Sequence, residues 1–446
     1  MRMVFSEDDF AAQRALKRAF DPDNVLNPGK VIPPPKDAEQ DGRSPVPALL
    51  EQARGPSGNG GHGLEMMAKI QTAASQKQLV VPVGSGTFGH YGNLPNGNPR
   101  FLSSLSMADV IEYDPPNQVI TVEAGISLTA LQAHLKANNQ WLPVRPPFFS
   151  DGSTIGSLVA LAACGPERMA YGAPRDLLLG LRYIDSKGIL VTAGGRVVKN
   201  VAGYDMTRLL TGSAGTLGFI SEATWRVSTV PERCAAITAV GSLDDCSATA
   251  LKIVQSILSP IYVTCLPADP PTTGTISGGW KIVVGFEGFS QTVDYQLEKC
   301  GALLETNGLH SPEKTDYPVY EGKFGDVFGE MVQSPFILRA DFPLDRVAGF
   351  IGTLDDRPVG PGAFLDFGCG RVLAGLDDVS DDDWARLCGK IDQHDGHGVL
   401  VKAPDDFKKR NDVFGKPRPE WKIMHRIKAA MDPDNIFAPG CLPGKV

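Results

Sequence analysis

The chain has 446 residues, of which 42% are hydrophobic and 8% aromatic, and its formal net charge is −8. This length has room for two or three domains with full-sized cores. An acidic chain without a basic block is a poor partner for nucleic acid or an anionic membrane surface. No apolar run approaches the roughly 18–20 residues that span a bilayer, and acids occupy the place of a signal peptide's apolar core. The sequence therefore predicts a cytoplasmic location.

The eight cysteines are scattered, and none belongs to a C-x-x-C pair. Iron–sulfur clusters and structural zinc sites need several thiolates close together. The seven histidines include no H-x-x-x-H pair. We therefore expect isolated thiols, no cluster and no bound metal.

The first predicted element is a helix that ends in a D-P turn, and it recurs at the other end of the chain. "KRAFDPDNVLNPG" from Lys17 and "KAAMDPDNIFAPG" from Lys428 are identical at eight of thirteen positions. The proline stops each helix because it cannot donate a backbone hydrogen bond. Two copies so far apart do not form a solenoid, which needs several stacked repeats.

Residues 36–63 are rich in proline, glycine and charge and are predicted to be a flexible linker. Residues 64–230 then predict an α+β unit that begins with a helix over "LEMMAKIQTAASQKQ" and a strand "LVVPV". Hairpins are predicted at "DVIEYDPPNQVITVEAG" and "LRYIDSKGILVTAGG". Ser127 is placed to cap a helix between them, and "TLGFISEATWRVSTV" predicts a further strand.

A glycine-rich loop follows the strand "LVVPV", and Gly84, Gly86 and Gly89 spell G-x-G-x-x-G. A Rossmann fingerprint requires a helix that opens on the third glycine. The residues that follow, "HYGNLPNGNPRF", contain glycines and prolines that exclude such a helix. We expect instead that successive backbone N–H groups over 84–87 form a concave anion site. An ordinary tight turn is the alternative.

Two more glycine-bearing loops support the anion site. "SDGSTIG" precedes an apolar helix, where N–H groups and hydroxyls face an anion, and "GSAGTLGFI" precedes a strand. From residue 231 to 400, strands alternate with helices, which predicts an open α/β sandwich that caps the first unit. Residues 401–446 form a return segment that ends in the second D-P-D-N turn.

Taken together, V-G-S-G-T, S-D-G-S-T-I-G, Y-G-x-x-R-D-x-x-L-G and G-S-A-G-T-L-G-F-I resemble the FAD-binding fold of the vanillyl-alcohol oxidase type. "GGRVVKNVAGYDMTRLLTGS" resembles, more narrowly, the FAD-binding E subunit of bacterial glycolate oxidase. The resemblance spans 64–446 and implies an α+β chain with a two-part PCMH-type FAD-binding domain (64–230) and an α/β-sandwich cap domain (231–400).

Residues 1–35 resemble the carboxyl-terminal tail of the D subunit of the same enzyme. The resemblance implies a tail fused in front of an E subunit, and we expect the tail to be a vestige rather than a working part. A misplaced start codon or a chance duplication stays open.

The resemblance also implies a non-covalent FAD, because Thr87 stands where flavin-linking relatives carry a histidine. His90 is interpreted as a loop residue rather than a linkage. Ser157 departs from the family, which usually has a second glycine there, and it is expected to tighten the approach to the cofactor.

The implied cofactor residues fall into four groups. They are, at the pyrophosphate, Val83, Gly84, Ser85, Gly86, Thr87, Phe88 and Gly89; at the phosphates and the ribityl–flavin side, Asp151, Ser153, Thr154, Ile155 and Gly156; along the flavin, Cys164 and Gly165; and at the adenine end, Gly215, Gly218 and Ile220.

The family chemistry is oxidation of a 2-hydroxy acid such as glycolate to glyoxylate, with hydride passing to the flavin. The catalytic residues are unknown from the sequence. Arg339 is a candidate for gripping the substrate carboxylate, with an ion pair to Asp341 or Asp345 as the alternative. His397 is a candidate base, with a structural histidine as the alternative. Residues expected to shape the pocket wall, unless they only pack a strand end, are Lys199, Asn200, Tyr204 and Asp205.

The expected partners are the FAD-containing D subunit and the iron–sulfur F subunit, with attachment to the inner membrane through partners as an alternative to a free cytoplasmic complex. The E-H-G-x-G motif and metal-binding histidines of the D subunit are absent from this sequence. This favours an accessory flavoprotein over the main catalytic chain. A stand-alone FAD oxidoreductase and a scaffold that has lost its flavin remain alternatives.

Overall fold

The computed structural model describes residues 6–22, 61–148, 152–195, 204–268, 279–317, 324–354 and 359–446. Three residues named above, Asp151, Lys199 and Asn200, lie outside the described residues, as do 23–60, which hold the end of the tail and most of the predicted linker.

The amino-terminal domain consists of a small parallel sheet and a larger antiparallel sheet. Its helices are α1 (Glu7–Phe20), α2 (Gly61–Ser75), α3 (Leu128–Lys136), α4 (Ile155–Ala160), α5 (Arg168–Tyr171), α6 (Pro174–Leu177) and α7 (Met206–Leu210). Its strands are β1 (Val80–Val83), β2 (Arg100–Ser103), β3 (Val110–Asp114), β4 (Val119–Glu123), β5 (Gln140–Trp141), β6 (Leu178–Ile184), β7 (Leu190–Gly194), β8 (Phe219–Arg226) and β9 (Ser228–Thr229).

In the first part of this domain, β1 pairs with β2 in parallel; in the second, the antiparallel order is β3-β4-β8-β6-β7. The predicted hairpins are confirmed as β3–β4 and β6–β7. Ser127 caps α3 as predicted, because its hydroxyl accepts the Ala130 N–H at 3.1 Å. Helix α2 begins at Gly61, so the structured domain starts three residues inside the predicted linker.

The cap consists of one antiparallel sheet with helices packed on it. Its strands are β10 (Arg233–Gly241), β11 (Tyr262–Pro267), β12 (Trp280–Gly288), β13 (His310–Asp316), β14 (Phe336–Asp341), β15 (Val359–Asp366), β16 (Arg371–Leu376) and β17 (His397–Lys402). Its helices are α8 (Leu243–Val254), α9 (Ser290–Thr306), α10 (Gly325–Met331), α11 (Val347–Gly352) and α12 (Asp381–Gln393).

The described strands of the cap run in the order β13-β10-β12-β11-β15-β16-β14-β17. Ser380 starts α12 with a capping box: its hydroxyl accepts the Asp383 N–H, and the Asp383 carboxylate accepts the Ser380 N–H. Buried Val, Ile, Leu and Phe of the sheet and of α8, α9 and α12 form one core. The α+β fold with a two-part first domain and a capping sheet is confirmed.

After the cap, α13 (Asp405–Arg410) and α14 (Trp421–Met431) lead the chain back to the first domain. The return segment flanks β1: the Val80 N–H donates to the Ile436 carbonyl at 2.8 Å, and the Ala438 N–H donates to the Val80 carbonyl at 2.7 Å. The carboxyl-terminal residues therefore support the strand from which the first glycine loop starts.

Helix α1 packs between α14 and β7, an edge strand of the larger sheet. Phe10 is fully buried, and one Asp9 carboxylate oxygen accepts the Thr192 N–H at 2.7 Å. The other Asp9 oxygen accepts the Ser6 N–H in a capping box. The amino-terminal helix that leads into the first repeat therefore contributes to the packed domain and covers the edge of β7.

No helix among the described residues is both long and apolar enough to cross a membrane.

Candidate functional site

The first glycine loop runs from the end of β1 along the segment that precedes α4. A Cβ atom on Gly84 would lie 2.2 Å from Thr154 Oγ1, so only glycine fits there. The hydroxyls of Thr87 and Ser153 are 3.1 Å apart, and those of Ser85 and Thr87 are 3.4 Å apart. Two loops far apart in sequence thus present neighbouring hydroxyls.

The third glycine loop, 212–218, lies beside the same strand. Gly215 has φ +72°, and a Cβ atom there would lie 3.3 Å from Pro82 of β1. The Gly212 and Ala214 N–H groups donate to carbonyls at the end of α4, at 3.0 and 2.7 Å. The structure therefore brings the three predicted loops together at the carboxyl end of β1.

The first loop fits a diphosphate. Within the described residues, the N–H groups of 84–87 make no hydrogen bond to protein. Ser85 and Gly86 are exposed, and a Cβ atom on Gly86 would meet open space. Free successive N–H groups beside the Thr87 and Ser153 hydroxyls are the donor set that an anionic ester requires.

The start of α4 is different, because its N–H groups are used within the protein. The Ile155 N–H donates to the Ile126 carbonyl at 2.9 Å, and the Gly156 N–H donates to the Ala124 carbonyl at 2.7 Å. The Ser157 hydroxyl donates to the Thr154 carbonyl at 2.6 Å, so its side chain folds back onto the helix. Any contact of this segment with a cofactor would use other atoms than these amides.

Gly218 and Ile220 lie where β8 packs on β6. A Cβ atom on Gly218 would lie 2.8 Å from the Tyr183 ring, and Ile220 is buried opposite Tyr183. Both positions serve packing in the structure, and their predicted contact with adenine stays a prediction.

Cys164 and Gly165 belong to a turn that a buried carboxyl holds. The Glu167 carboxylate accepts the Arg145 N–H at 2.5 Å and the Gly165 N–H at 3.2 Å. A Cβ atom on Gly165 would lie 2.2 Å from the Arg145 carbonyl. Burial raises the pKa of Glu167 to about 7, although Arg145 and these N–H groups lower it.

Cys164 is the point at which this turn meets the cap. Its Sγ is 4.0 Å from Arg168 Nη1 and 3.9 Å from Arg371 Nη1 of β16. Arg371 Nε donates to Asp341 Oδ1 at 2.7 Å, and Arg339 Nε lies 3.7 Å from the other Asp341 oxygen. Two guanidinium groups, of Arg168 and Arg371, therefore lie beside the predicted flavin-lining residue, and a third, of Arg339, lies beside Asp341.

Arg371 and Asp341 belong to a row across four strands of the cap. Asp366, Arg371, Asp341 and His397 stand directly opposite one another on β15, β16, β14 and β17. We call these four residues the charged row. The structure thus places the candidate His397 next to Asp341 in register, and Arg339 two residues before Asp341 on the same strand.

The pKa values of the ionisable groups shift in different directions along the charged row. Burial alone raises the pKa of Asp341, but Arg371 and Arg339 bring it below its ordinary value. Asp366 is almost fully buried, and burial raises its pKa to about 6 although the Cys369 thiol donates to it at 2.7 Å. Burial lowers the pKa of Arg371, yet Asp341 raises it above the ordinary value, so Arg371 stays cationic.

A second polar cluster joins the domains. Arg145 Nη2 donates to Glu287 Oε1 at 2.8 Å, and the Tyr171 hydroxyl donates to Glu287 Oε2 at 3.0 Å. The Tyr317 hydroxyl also donates to Glu287 at 3.2 Å, and the Arg145 guanidinium lies 4.5 Å above the Trp141 ring. Glu287 has no exposed side-chain surface, so this pair fixes the cap on the first domain.

Other predicted residues serve packing in the structure. The Tyr204 ring stacks on Phe20 at 6.2 Å, and the Asp205 carboxylate caps α7 by accepting the Arg208 N–H at 3.0 Å. The His90 carbonyl accepts a hydrogen bond from the Lys408 ammonium group. The centroid of the His90 ring lies 5.9 Å from that of the Phe88 ring. The predicted contribution of Tyr204 and Asp205 to the pocket wall stays a prediction.

The sequence reasoning assigned no role to Arg168, Glu167 or Arg371. A charged residue in an otherwise apolar strand, as in "GRVLAGL", is the signal that points to Arg371.

Two family models match the chain. The model described as "FAD binding domain" matches residues 64–194, and the model described as "FAD linked oxidases, C-terminal domain" matches both residues 1–31 and residues 412–442. The second model therefore matches each copy of the D-P-D-N repeat.

Curated relatives agree with these models. The chain is 32% identical over 201 residues to "Glycolate oxidase subunit GlcE" of Escherichia coli (strain K12), an alignment that covers 45% of this chain and 56% of that protein. It is 29% identical over 413 residues to "Glycolate oxidase subunit GlcD" of Bacillus subtilis (strain 168), covering 84% and 86%. It is also 34% identical over 169 residues to a "D-2-hydroxyglutarate dehydrogenase" of Xanthomonas citri pv. viticola, covering 37% and 35%.

Among solved structures, an "alkyldihydroxyacetonephosphate synthase" superposes with a TM-score of 0.59 at 18% identity, over 83% of this chain and 74% of that one. This likeness shows the fold of the two domains. Together with the match to the FAD-binding model, these findings show that the chain carries an FAD-binding domain, takes FAD as its cofactor and is similar to FAD-linked oxidoreductases.

Proposed function

We propose that the chain is the FAD-binding subunit of a complex that oxidises a small 2-hydroxy acid, with glycolate to glyoxylate as the expected reaction. The observation that carries this proposal is the position of Arg371 against Cys164, at the junction of the cap and the predicted flavin-lining turn. The names of the relatives, glycolate oxidase subunits and a 2-hydroxyglutarate dehydrogenase, support the substrate class.

The arginines would bind the substrate carboxylate. A guanidinium group matches a carboxylate with paired charge-assisted hydrogen bonds. Asp341 holds Arg371 in place through Nε, and Nη1 of Arg371 reaches the Cys164 thiol across the domain junction. Arg168 adds positive charge beside Cys164, and Arg339 adds it beside Asp341.

FAD supplies an acceptor for the α-hydrogen of the bound acid. The hydroxyl proton needs a base within hydrogen-bond reach. His397 stands beside Asp341 in the charged row and is our candidate. Asp341 already accepts from Arg371, so its role is to orient that guanidinium.

In the complex, a D-type FAD subunit and an iron–sulfur F-type subunit would be the partners, in the cytoplasm or at the inner membrane. An accessory role, in which the chain supports oxidation on the D-type subunit, is the second candidate function. It is favoured by the missing E-H-G-x-G motif. The arginines beside Cys164 favour a substrate site on this chain instead.

Anaerobic spectroscopy of the purified full chain, alone and after co-purification with its partners, tests the proposal. We expect glycolate or a related 2-hydroxy acid to bleach the flavin absorbance of the isolated chain. Bleaching that requires the partners would instead assign the accessory role. A flavin that no 2-hydroxy acid reduces in either preparation would contradict the proposal.

Co-purification itself tests the subunit role. We expect a cluster-bearing flavoprotein complex to accompany the tagged chain. A chain that is isolated without partners and turns over with an artificial acceptor would point to a stand-alone oxidoreductase.

A further inference from the structure

The second copy of the repeat places a buried ammonium group beneath the glycine loops. Lys428 Nζ donates to the Thr216 carbonyl at 2.9 Å and to the Phe437 carbonyl at 2.7 Å, and it contacts the Asp432 carboxylate. The Lys428 side chain is 2% exposed and the Asp432 side chain is fully buried. We infer that Lys428 is a positioning residue for FAD, which locks the third glycine loop to the segment that flanks β1.

One end of this link is the third glycine loop. Thr216 lies between Gly215 and Gly218 and is fully buried. Its hydroxyl donates to the Ser213 carbonyl at 2.7 Å, which keeps the turn closed. The Lys428 ammonium group donates to the Thr216 carbonyl, so it fixes the position of the neighbouring Gly215 relative to Pro82 of β1.

The other end of the link is the return segment. Phe437 lies between Ile436 and Ala438, the two residues that bond to both sides of Val80 in β1. The first glycine loop starts three residues after Val80. One ammonium group therefore sets the distance between the supports of two loops that converge on the cofactor site.

Asp432 makes the link rigid. Its carboxylate accepts the Ile436 N–H at 3.1 Å and the Phe437 N–H at 2.8 Å while it contacts Lys428. In the D-P-D-N turn, one carboxylate thus binds both an ammonium group and two backbone amides. A buried ion pair of this kind is costly to break, because it leaves a charge without a partner.

The first copy of the repeat supplies a control. Lys17 and Asp21 repeat the pair on α1 at 2.6 Å, and the backbone at Asp21 (φ −133°, ψ 72°) matches that at Asp432 (φ −137°, ψ 72°). The Thr216 carbonyl, however, accepts from Lys428 and not from Lys17. The two lysines thus share a local structure and differ in their contact with the glycine loop.

The test is an FAD titration of apo-protein, followed by fluorescence quenching. We expect Lys428→Met to raise the FAD dissociation constant on the order of tenfold or more, because a hydrogen bond from a charged donor is lost. Lys17→Met should leave the dissociation constant unchanged. Near-UV circular dichroism of each apo-protein reports whether it is folded.

A second variant covers the case in which Lys428→Met does not fold. In the double variant Lys428→Met/Asp432→Asn, no buried charge is left unpaired, and the Asn oxygen keeps an acceptor for one of the two amides, which donate to separate Asp432 oxygens in the wild type. We expect this folded protein to bind FAD as weakly as the single variant. Wild-type affinity in the folded double variant, or an equal loss in Lys17→Met, would overturn the inference. Because no substrate is present, the outcome is independent of the proposed reaction.

Discussion

The glycine loops of the first domain and the charged row of the cap offer different kinds of groups to the junction between them. The first loop offers main-chain N–H groups over 84–87 and one glycine, Gly84, that has no room for a Cβ atom. The cap offers the side chains of Arg371, Asp341 and His397, which stand in register across three strands. The first arrangement suits an ester phosphate and the second suits a small carboxylate.

Under the proposed function, the glycine loops would bind the cofactor and the charged row would bind the substrate. In the loops, backbone position matters, so that an added methyl group should be more harmful than a changed charge. In the charged row, the backbone is an ordinary sheet, and the charge of each side chain should matter instead. Substitutions in the two regions should therefore affect different equilibria.

The largest effect is expected at Gly84. In Gly84→Ala, the new Cβ atom would lie 2.2 Å from Thr154 Oγ1, a side chain that is fully buried and cannot move aside. We expect the purified variant to lose its FAD, as measured by the flavin-to-protein absorbance ratio. Gly63→Ala is the control, since a Cβ atom there meets open space. Full flavin content in Gly84→Ala would show that FAD binding does not depend on the missing Cβ atom at this position.

Substitution of Arg371 should have the opposite effect: it should impair the reaction with the substrate but not the binding of FAD. Arg371→Gln removes the charge beside Cys164, and we expect the rate constant for flavin reduction by the 2-hydroxy acid, per unit substrate concentration, to fall about 10- to 100-fold. FAD content should stay at the wild-type level. Arg346→Gln, at an exposed arginine 3.8 Å from Asp345, is the matched control. Equal reduction rates in Arg371→Gln and wild type would exclude a substrate role for the row.

The glycine loops and the charged row can serve one site only if they keep a fixed relative position. The Arg145–Glu287 pair provides this link between the domains. Arg145→Met leaves the buried Glu287 carboxylate without its cation, and we expect a loss of about 3–5 kcal/mol in the free energy of unfolding. Urea unfolding of the variant and the wild type measures this difference in the free energy of unfolding. Lys409→Met, at the exposed pair with Asp406, should leave stability unchanged. A similar result for the two variants would mean that the interdomain pair does not hold the cap.

A pH dependence of the stability is expected from Glu167. Burial raises its folded-state pKa to about 7 from an ordinary value of 4.5, so the folded protein holds this proton more tightly than the unfolded chain. The resulting stabilisation is complete below pH ~4.5 and is lost as the pH rises to ~7, with a magnitude of up to about 3 kcal/mol.

Glu167→Gln tests this sign, because the amide stays neutral and keeps an acceptor for the Arg145 and Gly165 N–H groups. We expect its unfolding free energy to change less between pH 5 and 7.5 than that of the wild type. Glu65→Gln, at an exposed position of α2, should keep the wild-type slope. An unaltered slope in Glu167→Gln would assign the dependence to other groups.

The two regions also differ in how far the sequence predicts them. The glycine loops and hairpins are local, and the turn residues and the Ser127 cap are sufficient to place them. The charged row is not local, since Asp366, Asp341 and His397 come from separate strands whose pairing a single sequence does not specify. The sequence therefore suggests Arg339 and His397 as candidates but does not suggest Arg371.

The same limit applies to the repeat. Its D-P-D-N turns are evident in the sequence, but the contact from Lys428 to Thr216 depends on the return of the chain to the first domain. The packing of α1 against α14 and β7 likewise depends on residues far from α1 in the sequence, and the interpretation of this segment as a vestige does not predict it.

We expect main-chain amides of the first glycine loop to bind the FAD diphosphate. Amide hydrogen exchange of the apo-protein, with and without added FAD, tests it most directly. We predict that FAD slows exchange in the peptide that contains residues 84–87. FAD that binds while the exchange of these amides stays unchanged would contradict the account.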